Sequence, residues 1–125
     1  MTTNFKQKEF ACKCGCGLDS ISPTVTLIWQ MVRSKFNTSV NITSGCRCVR
    51  HNKKVGGVKN STHLRLAEDG LTHAADGQID VPLQEVYDYI DNIFPTSLGI
   101  GIYNTFIHID DRMDRAYRWD KRTGA

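Results

Sequence analysis

Three polar residues of this sequence have the chemical types and the settings of ligands for a hydrolytic zinc ion. His63 lies in a long segment with little periodicity, Asp76 precedes a predicted strand, and His108 lies in an otherwise largely apolar stretch. Zinc hydrolases use three protein ligands and leave the fourth position for water, and histidine and aspartate both suit that role. A polar side chain at an inward strand position needs a partner, and a metal ion is one such partner. Spacing alone is a weak signal, since a lone histidine in a strand is more often a hydrogen-bonded core residue.

The five cysteines are a second group of metal-binding side chains. They lie in two clusters along the chain, Cys12, Cys14, Cys16 and Cys46, Cys48. An odd number does not suit a framework made only of disulfides, and thiolates bind zinc well. Four of the five could hold a structural metal, although C-x-C-x-C differs from the usual C-x-x-C spacing. The sequence leaves this metal site and a set of reduced or partly paired cysteines as open alternatives.

Length and composition are those of an ordinary globular domain. The chain has 125 residues, of which 40% are hydrophobic and 23% are charged, and this length is enough for one modest core. The net charge of +3 is only mildly basic and would suit an anionic polymer. Because there is no basic stripe interleaved with aromatic residues, we expect no nucleic-acid partner.

The N-terminal segment is polar and lacks the apolar centre of a signal peptide. No apolar stretch approaches the roughly 20 residues that a membrane-spanning helix needs. We therefore expect synthesis in the cytoplasm without a signal peptide, and no membrane partner. We also expect a monomer.

Periodicity and turn residues predict one α+β domain over 1–125, without internal repeats. Ser22 and Pro23 are typical of a helix start, and apolar residues at helical spacing predict a helix over about 23–36. A second helix is predicted between Pro82 and Pro95. Strands are predicted at 40–43, 78–81, 99–103, 106–110 and 116–119, and residues 49–75 are interpreted as mostly loop.

Six short motifs occur in order along the chain. They are Ser44-Gly45-Cys46-Arg47, His51-Asn52, Val55-Gly56-Gly57, Ser61-Thr62-His63, Ala74-Ala75-Asp76 and Phe106-Ile107-His108-Ile109-Asp110. The series resembles the zinc D-alanyl-D-alanine carboxypeptidase family, whose pattern runs S-G-Y-R, H-N, V-G-G, S-x-H, A-x-D and F-x-H-x-D. The resemblance covers about Phe5 to Trp119 and is to small single-domain members of bacteria and phages, including endolysin-type peptidase domains. It implies a hedgehog-like zinc peptidase fold with an antiparallel sheet, two main helices and a long zinc-site loop.

The resemblance also implies the site and its substrate. It implies a Zn²⁺ cofactor held by His63, Asp76 and His108, and a D-Ala-containing peptidoglycan peptide as substrate. It further implies that Arg47 pairs with the terminal carboxylate of that peptide, which a guanidinium can bind through two parallel hydrogen bonds. A surface ion pair is the alternative for Arg47. We expect a carboxypeptidase or endopeptidase that acts at the cell wall after release or delivery.

The chain departs from the family pattern between the first histidine and the aspartate. The usual separation is seven positions, but thirteen positions separate His63 from Asp76. The additional residues fall between Leu64 and His73, and His73 lies only three positions before Asp76. His73 is therefore an alternative ligand. We favour His63, because Ser61-Thr62-His63 preserves the motif and an inserted loop costs little free energy.

The second departure concerns the general base. Many relatives have a carboxylate three residues before the last zinc histidine, where this chain has Thr105. Asp110, on the same strand face as His108, is the nearest replacement, and the alternative is that it orients a ligand or pairs with Arg112. Tyr103 is a candidate for stabilising the oxyanion, or is a core residue. The missing carboxylate also favours a rival function, that of a catalytically inactive wall-binding or phage structural domain.

Overall fold

Three α-helices and five strands make up most of the regular structure in the part of the chain that the structure describes. The computed structural model describes residues 2–57, 61–64 and 69–123. The helices are α1 (Pro23–Phe36), α2 (Val49–Lys54) and α3 (Leu83–Ile93), and a short 3-10 helix precedes them at Gln7–Phe10. The strands are β1 (Val40–Ser44), β2 (Ala74–Ile79), β3 (Gly99–Ile102), β4 (Ile107–Asp110) and β5 (Tyr117–Asp120). The α+β class predicted from the sequence is thus confirmed.

The strands form one sheet in the order β1-β2-β4-β3-β5. The first four strands pair antiparallel, as expected, but β5 pairs parallel with β3, so the sheet is mixed. The reason lies in the connection after β4. The chain reverses direction there, and since β3 also runs opposite to β4, the returning strand lies parallel to β3 along its free edge. No described helix is both long and apolar enough to cross a membrane.

The two main helices follow the predicted pattern because each buries one apolar stripe. In α1, Val25, Trp29 and Val32 are fully buried, and the Trp29 indole N–H donates to the Ala75 carbonyl oxygen of β2 over 3.3 Å. The helix α3 begins after Pro82 and buries two apolar side chains, Val86 and Ile90. Together with the inward residues of β3 and β4, these side chains form the core.

The segment interpreted as loop contains regular structure that the sequence pattern does not indicate. The helix α2 has only six residues and buries only Asn52, so it shows no apolar stripe. The Cys48 Sγ accepts a hydrogen bond from the His51 N–H and caps its start. Strand β2 begins at Ala74, whereas the sequence pattern predicted a start at 78. The pattern missed the first residues of the strand because they are buried on both faces and so do not alternate between apolar and polar. Residues 58–60 and 65–68 of this segment lie outside the described residues.

Candidate metal centre

Strand pairing brings two of the three candidate ligands together. Asp76 of β2 and His108 of β4 are direct register partners across the antiparallel pair, and both are buried. His63 precedes β2 in the long connection, and its carbonyl oxygen accepts a hydrogen bond from the Arg47 N–H over 2.9 Å. That backbone contact places the buried His63 side chain beside the two strands.

Three potential ligand atoms converge in this cluster. The Asp76 Oδ1 lies 2.9 Å from the His108 Nδ1 and 3.3 Å from the His63 Nε2. One such atom from each residue lies within 4.8 Å of the others. Two imidazole nitrogens and a carboxylate oxygen form a donor set that Zn²⁺ favours in hydrolytic sites. The residues therefore fit the metal that the resemblance implies.

In each imidazole, the ring nitrogen that does not face Asp76 lies within hydrogen-bond distance of a protein oxygen. The His63 Nδ1 lies 2.8 Å from the Gly45 carbonyl oxygen, and the His108 Nε2 lies 2.9 Å from the Asp110 Oδ2. Histidines that bind metals are commonly held by a carbonyl or a carboxylate in this way, which fixes the ring and the tautomer. Each ring thus turns its other nitrogen toward Asp76.

The geometry of Asp110 favours the orienting role over that of the general base. Its side chain is 1% exposed and contacts the His108 Nε2, on the side of the ring away from Asp76. The Arg112 guanidinium donates to both carboxylate oxygens over 2.6 and 2.8 Å, and the Gly99 N–H donates over 3.1 Å. Asp110 is not part of the cavity wall. With its oxygens occupied, the carboxylate cannot approach a substrate, so our expectation of a base at this position lacks structural support.

Charge compensation within the cluster is strong. Burial acts to raise the pKa of Asp76, but hydrogen bonds from His108 and His63 outweigh it and hold that pKa well below its usual range. Burial likewise acts to raise the pKa of Asp110, and hydrogen bonds from His108 and Arg112 hold it low. Burial lowers the pKa of His108, but its bonds to the two carboxylates raise it to about 8. Both carboxylates are therefore ionised at neutral pH.

Arg47 lies in the wall of an open cavity of about 250 Å³ at this cluster. Its Nε donates to the Ser44 Oγ and its Nη1 donates to the Asn52 Oδ1, each over 3.1 Å. The Nη2 lies 3.9 Å from the Asp76 Oδ2. The guanidinium is thus oriented by β1 and α2 rather than exposed in a surface ion pair. The Asn52 side chain, from the His51-Asn52 motif, thus holds Arg47.

Tyr103 lines the same cavity, together with Ser61 and Phe106. Its ring stacks on Phe106 with centroids 4.2 Å apart, and its hydroxyl oxygen accepts from the Trp119 Nε1–H over 2.9 Å. The Trp119 ring centroid also lies 5.1 Å from that of His108. Trp119 is the residue that the motif analysis missed, because only the parallel pairing of β5 brings it to the site. A lone tryptophan in the last predicted strand was the sole signal.

His73, the alternative ligand, lies outside the cluster. Its Nδ1 is 2.9 Å from the Asp111 carboxylate and its Nε2 is 3.0 Å from the Asp69 carboxylate. Both ring nitrogens are therefore occupied by oxygens other than those of Asp76. The geometry supports our preference for His63.

A pH dependence of stability follows from this histidine. Burial lowers the pKa of His73, but hydrogen bonds to Asp111 and Asp69 outweigh it and raise the pKa above 6.5. A raised folded-state pKa contributes stability that is complete below the unfolded value and is lost as pH rises through the folded value. In denaturant titrations from pH 6 upward, the unfolding free energy of wild type should therefore fall more than that of His73→Gln. The difference should be less than about 1 kcal/mol, because solvent screens the partly exposed contacts of His73 with its carboxylates. If the unfolding free energies of the two proteins had the same slope against pH, the pairing of His73 with Asp111 and Asp69 would be contradicted.

Comparison with known families agrees with this geometry. The family model described as peptidase M15 matches residues 3–110, which include all three candidate ligands, Arg47 and Tyr103. No curated protein and no solved structure matches the chain. Trp119 and β5 lie beyond the matched residues.

Proposed function

Since the chain belongs to the peptidase M15 family, whose members are zinc-dependent peptidases, we propose that it hydrolyses D-Ala-containing peptidoglycan peptides. The observation that carries the proposal is the convergence of the His63 Nε2, the Asp76 Oδ1 and the His108 Nδ1 beside an open cavity. These three residues would hold the zinc ion.

When bound there, the ion would supply Lewis-acid chemistry, which is polarisation of the scissile carbonyl and a lowering of the pKa of bound water toward about 7. The chain supplies binding and orientation. Arg47, held by Ser44 and Asn52, presents a cation at the cavity wall to a terminal carboxylate. The Tyr103 oxygen accepts from Trp119, which leaves the phenolic hydrogen available to donate to the developing oxyanion.

Asp110 acts in this account as a positioning residue for His108. Asp110→Asn should weaken zinc binding by about 10- to 100-fold, because it removes the carboxylate that fixes the tautomer of the ligand ring. Competition with a chromogenic chelator measures the affinity. A base at this position would give the opposite pattern, with zinc affinity unchanged and only kcat reduced.

Close packing around Arg47 offers a further test. A Cβ atom on Gly57 would lie 2.2 Å from the Asn52 Oδ1 and 2.8 Å from the Arg47 Nη1. Gly57→Ala must therefore push these side-chain ends aside, and we expect kcat/KM to fall by about 10- to 100-fold, since a misplacement of about 1 Å can cost that much. Zinc content and the melting temperature, measured on the same sample, should change little. Unchanged kcat/KM would show that the position of Arg47 is unimportant.

The role of Arg47 bears on the type of cleavage. A cation that pairs with a free terminal carboxylate favours carboxypeptidase action over endopeptidase cleavage of cross-links. With a peptidoglycan substrate, the site of action is the cell wall, reached after release or delivery, and a phage-encoded monomer is our expectation.

A second function is favoured by one observation. Among the described residues, Asp76 is the only carboxylate in the cavity wall, and it serves as a ligand. Thr105, at the position where many members of the family have a carboxylate as base, is exposed in the turn between β3 and β4. A domain of this kind could bind wall peptides through zinc and Arg47 without cleaving them.

Turnover separates the two functions. The zinc-loaded protein is incubated with a stem peptide ending in D-Ala-D-Ala, and released D-Ala is measured. If the protein is a peptidase, we expect D-Ala to be released, a chelator to abolish the release, and added zinc to restore it. Saturable binding of the peptide without release of D-Ala would identify the inactive domain.

A further inference from the structure

Four of the five cysteines form a cluster outside the cavity. The Sγ atoms of Cys12, Cys14, Cys16 and Cys48 all lie within 4.8 Å of one another. Cys46, the fifth, is buried in the hydrophobic core and does not belong to this cluster. The sequence left open which cysteines could meet, because the two groups lie far apart along the chain.

The sulfur separations match those of a tetrahedral thiolate site. Cys12 lies 3.4 Å from Cys14 and 3.9 Å from Cys48, and Cys14 lies 3.6 Å from Cys48, measured between Sγ atoms. Zinc–sulfur bonds of about 2.3 Å place tetrahedral sulfurs about 3.8 Å apart. All five cysteines are free thiols, so the cluster is a set of four sulfurs rather than two bonded pairs.

The backbone folds the first three cysteines around a common centre. The Cys12 N–H donates to the Leu18 carbonyl oxygen over 2.7 Å, and the Gly15 N–H donates to the Cys12 carbonyl oxygen over 3.2 Å. Gly15 and Gly17 have φ of +82° and +90°, a backbone region that L side chains rarely adopt. The glycines of the C-x-C-G-C-G segment thus close a turn that brings its sulfurs together.

Polar groups suited to thiolates surround the cluster. The Cys48 N–H donates to the Cys12 Sγ, and the His51 N–H donates to the Cys48 Sγ, each over 3.4 Å. The Arg50 side chain hydrogen-bonds to Cys14. Four thiolates around one divalent ion carry excess negative charge, which these donors and this cation offset. Such contacts around the ligands are a general feature of metal sites.

We propose that Cys12, Cys14, Cys16 and Cys48 bind a structural Zn²⁺ ion, separate from the peptidase centre. Soft thiolate ligands in tetrahedral arrangement select zinc over harder ions. The ion cross-links the N-terminal segment to the start of α2. Because Cys48 directly follows Arg47 and caps that helix, this cross-link also fixes the backbone of the substrate-binding arginine. Metal binding at such a site adds to folding stability.

The test uses cobalt in place of zinc, on protein purified under reducing conditions. Thiolate ligands give Co²⁺ an intense charge-transfer absorption that nitrogen and oxygen ligands do not. A variant carrying His63→Ala and His108→Ala, which lacks the peptidase centre, should retain this absorption and one zinc ion per chain. Chelation of that ion should lower the melting temperature of this variant.

The cysteine variants identify the ligands. Cys16 is exposed, so Cys16→Ser should fold and should lower the charge-transfer intensity in proportion to the lost thiolate. A variant that carries Cys14→Ser together with Cys16→Ser should lose the bound ion. The matched control Cys46→Ala should leave the spectrum unchanged. The proposal is overturned if the His63→Ala, His108→Ala variant binds no metal. It is equally overturned if the spectrum is insensitive to Cys16→Ser, or if Cys46→Ala abolishes it.

Discussion

Replacing His63 or His108 with alanine is expected to abolish metal binding at the cavity and to lower kcat/KM by on the order of 10³-fold or more. The metal contributes several kcal/mol of transition-state stabilisation, and each 1.4 kcal/mol is about a factor of ten in rate. Both imidazoles face the Asp76 Oδ1, at 3.3 and 2.9 Å, so loss of either leaves an incomplete ligand set. Zinc content and D-Ala release are measured on the same samples.

The matched control is His73→Ala. This histidine belongs to the same chain segment as Asp76 but pairs with Asp69 and Asp111. Its removal should leave zinc content and kcat/KM near those of wild type. If His73→Ala lost the cavity zinc ion while His63→Ala kept that ion, the ligand assignment would be wrong and the six-residue insertion would have changed the ligand.

Arg47→Ala is expected to lower kcat/KM by on the order of 10²–10³-fold for peptides that end in a free carboxylate. Removing one partner of a desolvated charge pair costs about 2–5 kcal/mol, which converts to about 30- to 5,000-fold and includes a loss of this size. Hydrolysis of the same peptide with an amidated C-terminus should fall much less, since it offers no charge to Arg47. The ratio of the two rates isolates the carboxylate contact from any effect on the zinc ion.

Lys54→Ala supplies the control for this effect. Lys54 is an exposed cation at the end of α2, the helix that also supplies Asn52 to hold the guanidinium. Its removal should leave the preference for the free carboxylate intact. If Arg47→Ala reduced both substrates equally, the arginine would serve the fold of the cavity wall, and endopeptidase action would become the better description.

Much of the fold could be predicted because two helices carry strong patterns. The apolar residues of α1 and α3 recur at helical spacing, and a proline marks the start of each. The short helix α2 escaped prediction, since a helix that buries only Asn52 has no stripe to detect. Parallel pairing of β5 with β3 escaped as well, because pairing partners depend on connections that local patterns do not contain.

The candidate site was predictable in part for a similar reason. His63, Asp76 and His108 stand within motifs that the family resemblance places in order, and the structure brings all three together. The role of Asp110 was not readable, because an aspartate two residues beyond a ligand can face the cavity or hold the ring from behind. In the folded chain its oxygens contact His108 and Arg112, a pairing that no local sequence pattern contains. Trp119 lacks any motif and reaches the site through tertiary pairing alone.

The most direct test of the central claim is anomalous diffraction at the zinc edge from crystals of the zinc-loaded protein. The account predicts a peak at the cavity, about 2.0–2.2 Å from the His63 Nε2, an Asp76 oxygen and the His108 Nδ1. It also predicts that the His108 Nε2 still contacts Asp110. A cavity without a peak, or a zinc ion held by His73 instead of His63, would contradict the account.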